Sequence, residues 1–461
     1  MSSIIGVWGR PRVLRRDLRS VFRTLSHRGS ADIVIRNFDA GRIGHGLQIF
    51  ERAISLRRPT GFVAGGLAGG KAAVTRLDFA ELGGVLGGPS SEREALFGRR
   101  FAIAAAIGDE LILARDPLGA EPLYWSRKGS EVSFASEVKG LLPLDDDAAI
   151  EVFPAGMMYS TKHGLRALTR ARQAPPSADD SASKPDLAAA IEAAVRRETS
   201  GLTRVGVFLS GGIDSALIAA LAKRSGVEVV TFVAGFPGSP DLASAAAVAA
   251  ALGCEHNEVV LQMDRILRDL PISIHQLESF DPTLVECALP MNELAHFAAR
   301  RVDVVLTGDG ADELFGGYEH MQGLALHRPR FDDERRALLA DMERFNLQRL
   351  DRMVSAHAID VRTPYLDPEV VEAAFALEPR ELFDDGPGKA PLRRIAATLI
   401  GAEAARRDKA MISIGSGMNE RLALAIPENR PAVYRRIFET FYPRAIADLI
   451  RLWKPQGALS A

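Results

Sequence analysis

Residues 204–215 read Arg-Val-Gly-Val-Phe-Leu-Ser-Gly-Gly-Ile-Asp-Ser, an apolar run that ends in two glycines between serines. Because an apolar-periodic segment follows over residues 216–224, the pattern predicts a strand, a glycine turn and a helix N-terminus in that order. Backbone N–H groups at such a turn bind phosphate, and the helix dipole favours the anion. The alternative interpretation is a glycine-rich turn that binds nothing.

Carboxylates accompany this turn and a second one further along the chain. Asp214 lies inside the first turn, which lacks the lysine of a Walker loop, and a carboxylate beside a polyphosphate is typical of a magnesium ligand. Residues 304–318 form another strand that runs into a glycine turn, with Asp309, Asp312 and Glu313. Buried carboxylates need a compensating cation. The two turns therefore predict one site that holds a polyphosphate and a divalent cation.

The elements that position these turns alternate between strand and helix after residue 185. Strands are predicted up to residue 209 and over residues 228–234, 256–261 and 302–306, with helices between them. Asp241 is predicted to cap the helix over residues 241–252, and Gly253 to end it. Such alternation favours a parallel sheet covered by helices, with ligands at the carboxyl ends of its strands.

The first part of the chain carries mostly strand signals. Residues 3–9 form a short apolar strand, and apolar residues recur at helical spacing over residues 14–25. Two hairpins are predicted, one over residues 101–114 and one over residues 123–134. The Pro-, Ser- and Asp-rich stretch before residue 186 has no hydrophobic period and is interpreted as a linker. We therefore predict domains over residues 1–170 and 186–461, joined by residues 171–185.

Composition excludes several classes of protein. The 461 residues include 57 Lys and Arg against 59 Asp and Glu, a formal charge of −2, so no global field attracts nucleic acid or anionic membrane. Two cysteines, Cys254 and Cys287, cannot build a disulfide framework or a zinc site. No apolar run approaches the length of a membrane span, and the first basic residues follow the first apolar stretch, the reverse of a signal peptide. We expect a cytoplasmic protein.

The motifs taken together resemble a known family. The first turn is similar to the pyrophosphate loop of the PP-loop ATP pyrophosphatases. Residues 304–318, with residues 231–242, 360–367 and 407–417, resemble the corresponding segments of asparagine synthetases and β-lactam synthetases. The resemblance implies an α+β N-terminal Ntn-hydrolase-like sandwich followed by an α/β PP-loop synthetase domain. It also implies ATP and Mg²⁺ as cofactors and a reaction that adenylates a carboxylate and joins it to an amine.

The resemblance implies roles for individual residues. Asp214 and Asp312 would bind Mg²⁺, and Lys409 would be the catalytic lysine, although in its basic run it could also be a solvated surface lysine. The β- and γ-phosphates would be held by Ser210, Gly211, Gly212, Asp214 and Ser215. The adenosine pocket would be lined, largely through backbone groups, by Leu209, Ala234, Thr307 and Gly308.

Other positions in the matched segments carry less specific expectations. Asp309 stands where asparagine synthetases carry an acid and β-lactam synthetases a tyrosine, so it would position the amine or the lysine, or else cap the next helix. Arg362 and Asp367 are interpreted as a structural ion pair or turn. The substrate pocket would be lined by segments such as residues 280–291 and 318–324.

The N-terminal half resembles a glutaminase domain that lacks its machinery. Residues 27–29, 113–124 and 134–139 match the family, but Ser2 stands where glutamine-using members carry the nucleophilic cysteine. A serine hydroxyl is a far weaker nucleophile than a thiolate unless a base activates it. The arginine expected after His45 and the amide-binding loop expected after residue 60 are also absent. We therefore expect no glutamine hydrolysis.

Several functions stay open at this point. The amine would be free ammonia, a second substrate or part of the adenylated molecule itself, as in lactam-forming β-lactam, carbapenam and lasso-peptide enzymes. A PP-loop enzyme acting on tRNA would need a basic groove and often a cysteine pair, which the composition disfavours. A non-catalytic, degenerate synthetase subunit is the third hypothesis. The expected partners are a small-molecule or peptide carboxylate and an amine, without nucleic acid or membrane, and a homodimer is a candidate assembly.

Overall fold

The computed structural model describes residues 2–8, 23–28, 33–38, 41–47, 61–68, 100–107, 110–143, 149–168, 185–384, 386–401 and 411–446. The chain divides into two compact units. Unit 1 comprises residues 1–172 and 355–358, and unit 2 comprises residues 173–354 and 359–461. A two-domain arrangement agrees with the sequence. The predicted linker lies outside the described residues except for Pro185.

The described strands of unit 1 form two antiparallel sheets. The strands are β1 Ser2–Trp8, β2 Ile33–Phe38, β3 Gly41–Leu47, β4 Gly61–Ala68, β5 Arg100–Ile107, β6 Glu110–Arg115, β7 Tyr124–Lys128, β8 Glu131–Ala135, β9 Glu151–Val152, β10 Met157–Ser160 and β11 Gly164–Ala167. The strand orders of the two sheets are β2-β3-β1-β8-β7-β9 and β11-β10-β6-β5-β4. A 3₁₀ helix spans Arg23–Arg28 and α1 spans Val138–Leu141. The predicted hairpins are confirmed as β5–β6 and β7–β8. Most of the helix predicted over residues 14–25 lies outside the described residues.

One hydrophobic core draws on both sheets of unit 1. It combines alternate residues of β1, β7 and β8 from the first sheet with alternate residues of β5 and β6 from the second. Trp125 meets Phe153 edge to face with ring centroids 4.9 Å apart. Successive residues of a strand point to opposite faces of its sheet, so these alternate residues lie on one face of each sheet. The two faces share this core, which is the packing of a sandwich.

A buried charge cluster stabilises the same unit. Glu137 is fully buried and accepts a hydrogen bond from Arg28 Nη1 at 2.8 Å, and His27 Nε2 lies 3.0 Å from its other oxygen. The ammonium of Lys139 also contacts the carboxylate. Because a buried carboxylate is costly without partners, this cluster ties the 3₁₀ helix to the start of α1.

Unit 2 is built on a parallel sheet, whose described strands are β12 Arg204–Phe208, β13 Glu228–Gly235, β14 Glu255–Val260, β15 Val304–Leu306 and β16 Asp360–Arg362. Their order across the sheet is β14-β13-β12-β15-β16. The helices are α2 Leu187–Thr199, α3 Ile213–Arg224, α4 Pro240–Leu252, α5 Met263–Leu277, α6 Pro282–Ala298, α7 Ala311–Phe315, α8 Glu319–Leu324, α9 Arg328–Asp341, α10 Asn346–Ser355, α11 Pro368–Ala376, α12 Ala390–Ile400, α13 Ile412–Gly415, α14 Met418–Ala425 and α15 Arg430–Glu439. The predicted alternation of strand and helix is confirmed. Among the described residues, no helix is long and apolar enough to cross a bilayer.

The boundaries of α4 differ in part from the prediction. The helix ends at Gly253, which adopts the left-handed conformation at φ 59°, as predicted. Its N-cap, however, is Ser239 and not Asp241, so the capping prediction was wrong. Pro240 occupies the first helical position, where its fixed φ and missing N–H are tolerated, and this starts the helix earlier. Asp241 lies in the first turn instead, near the positive end of the helix dipole.

The strand order places the two glycine turns side by side. β12 pairs in parallel with β13 on one side and with β15 on the other, so the strand order reverses between β12 and β15. Ligands of open parallel sheets bind at such a reversal, outside the carboxyl ends of the strands. The first turn follows β12 and the second follows β15, so both lie at this point.

The centre of β12 has no room for a side chain at Gly206. A Cβ added there would lie 2.8 Å from Val305 Cγ1 and 2.9 Å from Val302 Cγ2. We expect Gly206→Ala to lower the free energy of unfolding of unit 2 by about 1–3 kcal/mol, because overpacking displaces both valines. The urea midpoint of unfolding measures the effect. Gly323→Ala, in open space on α8, is the control and should be neutral or stabilising by up to about 1 kcal/mol. Equal midpoints for the two variants would contradict the expectation.

Candidate active site

The first glycine turn is held in shape by its own serines. Ser215 Oγ donates to the carbonyl oxygen of Gly212 at 3.2 Å, and the N–H of Ser210 donates to Ser215 Oγ at 3.3 Å. Gly211 has a φ of 75°, and a Cβ there would lie 2.6 Å from the backbone of Ser244 in α4. This position therefore requires glycine for two reasons, its left-handed backbone conformation and its close approach to α4.

Helix α3 begins directly after the turn. Its N-cap is Gly212, and Asp214 lies in its first turn with only 5% of its surface exposed. The first N–H groups of a helix have no partner within the helix, and the dipole is positive at this end. The segment from Ser210 to Ser215 therefore has the chemistry of a phosphate site.

The second turn touches the first. A Cβ on Gly308 would lie 2.8 Å from Asp214 Cβ and 2.9 Å from the backbone nitrogen of Ser215, so only glycine allows this contact. The turn continues through Gly310, whose φ is 99°, into α7, which carries Asp312. Asp312 is 4% exposed. The two predicted metal ligands thus lie on adjacent, closely packed turns.

A lysine that the sequence analysis missed lies between these two aspartates. Lys389 Nζ is 2.7 Å from Asp214 Oδ2 and 2.5 Å from Asp312 Oδ1, and the residue is 3% exposed. A single ammonium therefore contacts both carboxylates. The available signal was the Gly-Pro-Gly-Lys sequence over residues 386–389, a glycine turn directly before a helix. Lys389 reaches the site because α12, which it precedes, packs against α3.

Tyr365 is a second residue that the sequence analysis did not single out. It is fully buried, and its hydroxyl donates to the carbonyl oxygen of Asp214 at 3.1 Å. Burial, together with the nearby carboxylate of Asp214, raises the pKa of Tyr365 well above its usual value. The tyrosine therefore stays neutral and fixes the backbone of Asp214 from the side of β16.

Asp309 has a fixed cationic partner. Arg349 Nη2, on α10, lies 3.1 Å from Asp309 Oδ1, and both side chains are largely buried. Asp309 does not cap the following helix, whose N-cap is Gly310, so that alternative was wrong. The carboxylate is instead held by a guanidinium at the edge of the same turn.

Glu313 lies beside these residues with neutral partners. Its Oε1 accepts hydrogen bonds from the hydroxyl of Tyr318 at 2.7 Å and from Asn346 Nδ2 at 3.0 Å. Burial raises the pKa of Glu313, and burial with the nearby carboxylate raises that of Tyr318. Its buried Oε2 has no hydrogen-bond partner within the part of the chain that the structure describes.

The residues expected around adenosine all lie at the carboxyl ends of neighbouring strands. The N–H of Leu209 donates to the carbonyl oxygen of Phe232 at 2.8 Å, and the N–H of Thr307 donates to that of Arg362 at 3.0 Å. These two N–H groups already have protein partners. Thr307 Oγ1, by contrast, is buried without a hydrogen-bond partner among the described residues. Ala234 is buried in β13.

Arg362 and Asp367 have structural partners, but they do not pair with each other. Asp367 accepts from Arg197 at 2.8 and 3.0 Å and caps α11. Arg362 Nε donates to Asp360 at 2.7 Å. Both residues therefore fix the connection after β16, in agreement with a structural role.

Lys409, the predicted catalytic lysine, lies outside the described part of the chain. The side chain of Ser2 is also not described. The segment that follows Lys409 is described from residue 411 onward, and the carbonyl oxygen of Ser416 accepts from the N–H of Phe236 at 2.9 Å. Residues 411–417 thus pack on the loop between β13 and α4.

The two carboxylates that contact Lys389 suit a magnesium ion that arrives with phosphate. Among the described residues no group of three or more His, Cys, Asp or Glu side chains forms a metal cage. Mg²⁺ is commonly bound by one or two carboxylates together with substrate phosphates. Asp214 and Asp312 are such a pair, and the ammonium between them shows that a cation fits there.

Family models and known proteins match this chain over most of its length. The family model described as asparagine synthase matches residues 186–344 and 325–455, and that described as a glutamine amidotransferase domain matches residues 94–168. The probable asparagine synthetase (glutamine-hydrolysing) of Schizosaccharomyces pombe is 30% identical over 76% of this chain and 73% of its own length. Asparagine synthetase B (glutamine-hydrolysing) of Escherichia coli is 28% identical over 74% of this chain and 69% of its own.

Glu286 lies in a segment predicted to line the substrate pocket. It is buried on α6, with Arg430 Nε at 3.3 Å and the hydroxyl of Tyr434 at 3.4 Å. Burial raises the pKa of Glu286, and Arg430 only partly opposes this effect. The fold therefore favours the protonated carboxyl.

This environment predicts a pH-dependent difference between the wild type and Glu286→Gln. A raised folded-state pKa contributes stability below the unfolded value of 4.5, and that contribution is lost as pH rises through the folded value. Glutamine does not titrate, so the stability of the variant relative to wild type should increase from about pH 4.5 towards neutrality. Urea denaturation at a series of pH values measures it. Glu420→Gln, an exposed control, should show no such trend, and a constant or falling difference for Glu286→Gln would contradict the assignment.

Proposed function

We propose a reaction for this chain from its family, since the chain belongs to the asparagine synthase family and is an ATP-dependent ligase that forms C–N bonds. In the proposed reaction the protein adenylates a carboxylate, releases pyrophosphate and transfers the acyl group to an amine. The observation that carries the proposal is that Asp214 and Asp312 both contact one cationic group, the ammonium of Lys389, beside the N-terminus of α3. A phosphate site and a cation site in contact are what the departure of pyrophosphate requires.

In the first step a carboxylate oxygen of the substrate attacks the α-phosphorus of ATP. The bond between the α-phosphorus and the bridging oxygen breaks, and pyrophosphate leaves with its charge. The turn from Ser210 to Ser215 binds the β- and γ-phosphates through N–H groups and hydroxyls. Asp214 and Asp312 would hold Mg²⁺, which neutralises the charge that develops on the phosphates when it is bound. The adenosine would contact Leu209, Ala234, Thr307 and Gly308.

In the second step the amine nitrogen attacks the acyl carbon of the adenylate. The C–N bond forms, the acyl C–O bond breaks, AMP leaves and the nitrogen loses a proton. Both steps place negative charge on oxygen, and a fixed ammonium stabilises such charge, which is the role that we assign to Lys409. Asp309, positioned by Arg349, would orient the amine. An acid at this position favours an external amine over ring closure within the adenylated molecule.

The proposed nitrogen source rests on the sequence of unit 1. The relatives above are named as glutamine-hydrolysing, whereas residues 1–172 of this chain contain no cysteine. The cysteines present, Cys254 and Cys287, lie in unit 2, and Cys287 is buried. A thiolate nucleophile for an amide is therefore missing from the half that resembles a glutaminase. We propose ammonia or an amine substrate as the direct nitrogen donor.

Release of pyrophosphate tests the synthetase reaction. The wild type, incubated with ATP, Mg²⁺ and a panel of carboxylic amino acids and amines, should release pyrophosphate and AMP together. Asp312→Asn should lower this rate about 100-fold or more, because the phosphates lose half of their cation site. Asp264→Asn, which alters an exposed carboxylate on α5, is the matched control and should retain the rate. Equal activity of Asp312→Asn and Asp264→Asn would refute the site, and the absence of release with every pair would count against the function.

Nitrogen isotope labelling tests the donor. With a productive carboxylate and ATP, ¹⁵N-ammonium or the ¹⁵N-labelled amine should give a labelled amide, whereas amide-labelled glutamine should not, because unit 1 lacks the thiol. Glutamate formation is measured in the same samples. Glutamine-dependent labelling together with stoichiometric glutamate would show that unit 1 retains a glutaminase.

A further inference from the structure

The ammonium of Lys389 stands where the proposed function places a divalent cation. It contacts one oxygen of Asp214 and one of Asp312, and all three side chains are almost fully buried. Two carboxylates this close and this buried repel each other and are costly without a cation. The lysine therefore supplies, from the chain itself, the charge that this pair of aspartates needs when no metal is present.

The position of Lys389 is otherwise unfavourable. Its φ of 70° lies in the left-handed region, which is strained for a residue with a side chain. As the N-cap of α12, it also places a positive charge at the positive end of a helix dipole. Strain of this kind persists where surrounding structure imposes it, and it is concentrated at functional sites. The two carboxylates are the compensating contacts.

The backbone at this point is fixed by contacts with the end of α7 and the segment that follows it. The N–H of Lys389 donates to the carbonyl oxygen of Phe315 at 2.9 Å, and Gly388 packs directly against Gly316. Gly317 packs directly against the lysine stem, since a Cβ there would lie 2.5 Å from Lys389 Cε. A lysine has a flexible four-carbon stem, so its ammonium can withdraw by rotation about side-chain bonds without moving α12.

We propose that Lys389 is a resident counter-ion that occupies the cation site of the nucleotide-free protein and withdraws when Mg²⁺ enters with ATP, an inference that rests on the proposed function. The ammonium keeps Asp214 and Asp312 in place for the metal. It also makes the site a poor one for a free divalent cation, because the metal alone must displace a paired charge. The phosphates of ATP change this balance by bringing their own ligands to the metal.

The experiment measures the affinity for Mn²⁺ in the absence of nucleotide, with the free ion quantified by electron paramagnetic resonance. Lys389→Met should bind one Mn²⁺ with an affinity about tenfold or more above that of the wild type, because the competing ammonium is gone. Adding Asp312→Asn to Lys389→Met should abolish the gain. Lys223→Met removes a lysine elsewhere in unit 2 and should behave as wild type. Equal Mn²⁺ affinity of folded Lys389→Met and wild type would overturn the proposal.

Thermal melting in EDTA provides a second readout and covers poor folding of the methionine variant. Lys389→Met should melt about 5 °C or more below wild type, and millimolar Mn²⁺ should restore much of that loss while leaving wild type almost unchanged. Lys389→Gln, whose amide still donates to the carboxylates, should fall between the two. Should neither variant gain Mn²⁺ affinity or Mn²⁺-dependent stability, the counter-ion role is wrong. Pyrophosphate release by the wild type separates this outcome from failure of the proposed function, which would remove release altogether.

Discussion

The pairing of one buried ammonium with two buried carboxylates is the interaction on which the rest of unit 2 depends. Asp214 belongs to the helix after β12, Asp312 to the helix after β15, and Lys389 to a turn 175 residues beyond Asp214 in the chain. Each arrives from a different element, so the sheet order, the contact of the two turns through Gly308 and the packing of α12 on α3 are all needed. A change in any of these separates the charges and leaves a carboxylate buried without its partner.

The sheet explains why this site is where it is. In a parallel sheet all carboxyl ends lie along one edge, and the reversal of strand order between β12 and β15 opens a crevice between the connections that follow them. Glycines then set how closely the crevice walls approach, since a Cβ on Gly308 would press against Asp214. Tyr365, in the 3₁₀ helix that follows the neighbouring strand β16, adds a hydrogen bond to the backbone of Asp214. The proposed cation site is therefore a product of topology and close backbone packing, with few side chains involved.

Structural features that depend on local sequence could be predicted, whereas contacts between residues far apart in the sequence could not. Alternating strands and helices, the parallel sheet, the hairpins of unit 1 and the two carboxylate-bearing turns follow from periodicity and glycine placement. The cap of α4 was misassigned because Pro240 overrides the preference of Asp241 for that position. Lys389, Arg349 and Tyr365 were missed because their roles arise from partners 40 to 175 residues away, and no local pattern records such pairings. Lys409 was assigned by resemblance alone and stays a prediction.

The second turn also shows how one short segment holds three carboxylates in three electrostatic states. Asp309 is paired with the guanidinium of Arg349, whose planar donors favour a fixed geometry. Within the described part of the chain the hydrogen-bond donors to Glu313 are neutral, and burial raises its pKa, so the fold favours its protonated form. Asp312 alone is compensated by a flexible ammonium that it shares with Asp214. An exchangeable partner is what a metal ligand needs, because its charge must stay ionised in the fold and yet be released to an incoming cation. The same physical chemistry that stabilises the turn thus makes Asp312 the acid of this turn that suits the proposed binding of a metal–nucleotide complex.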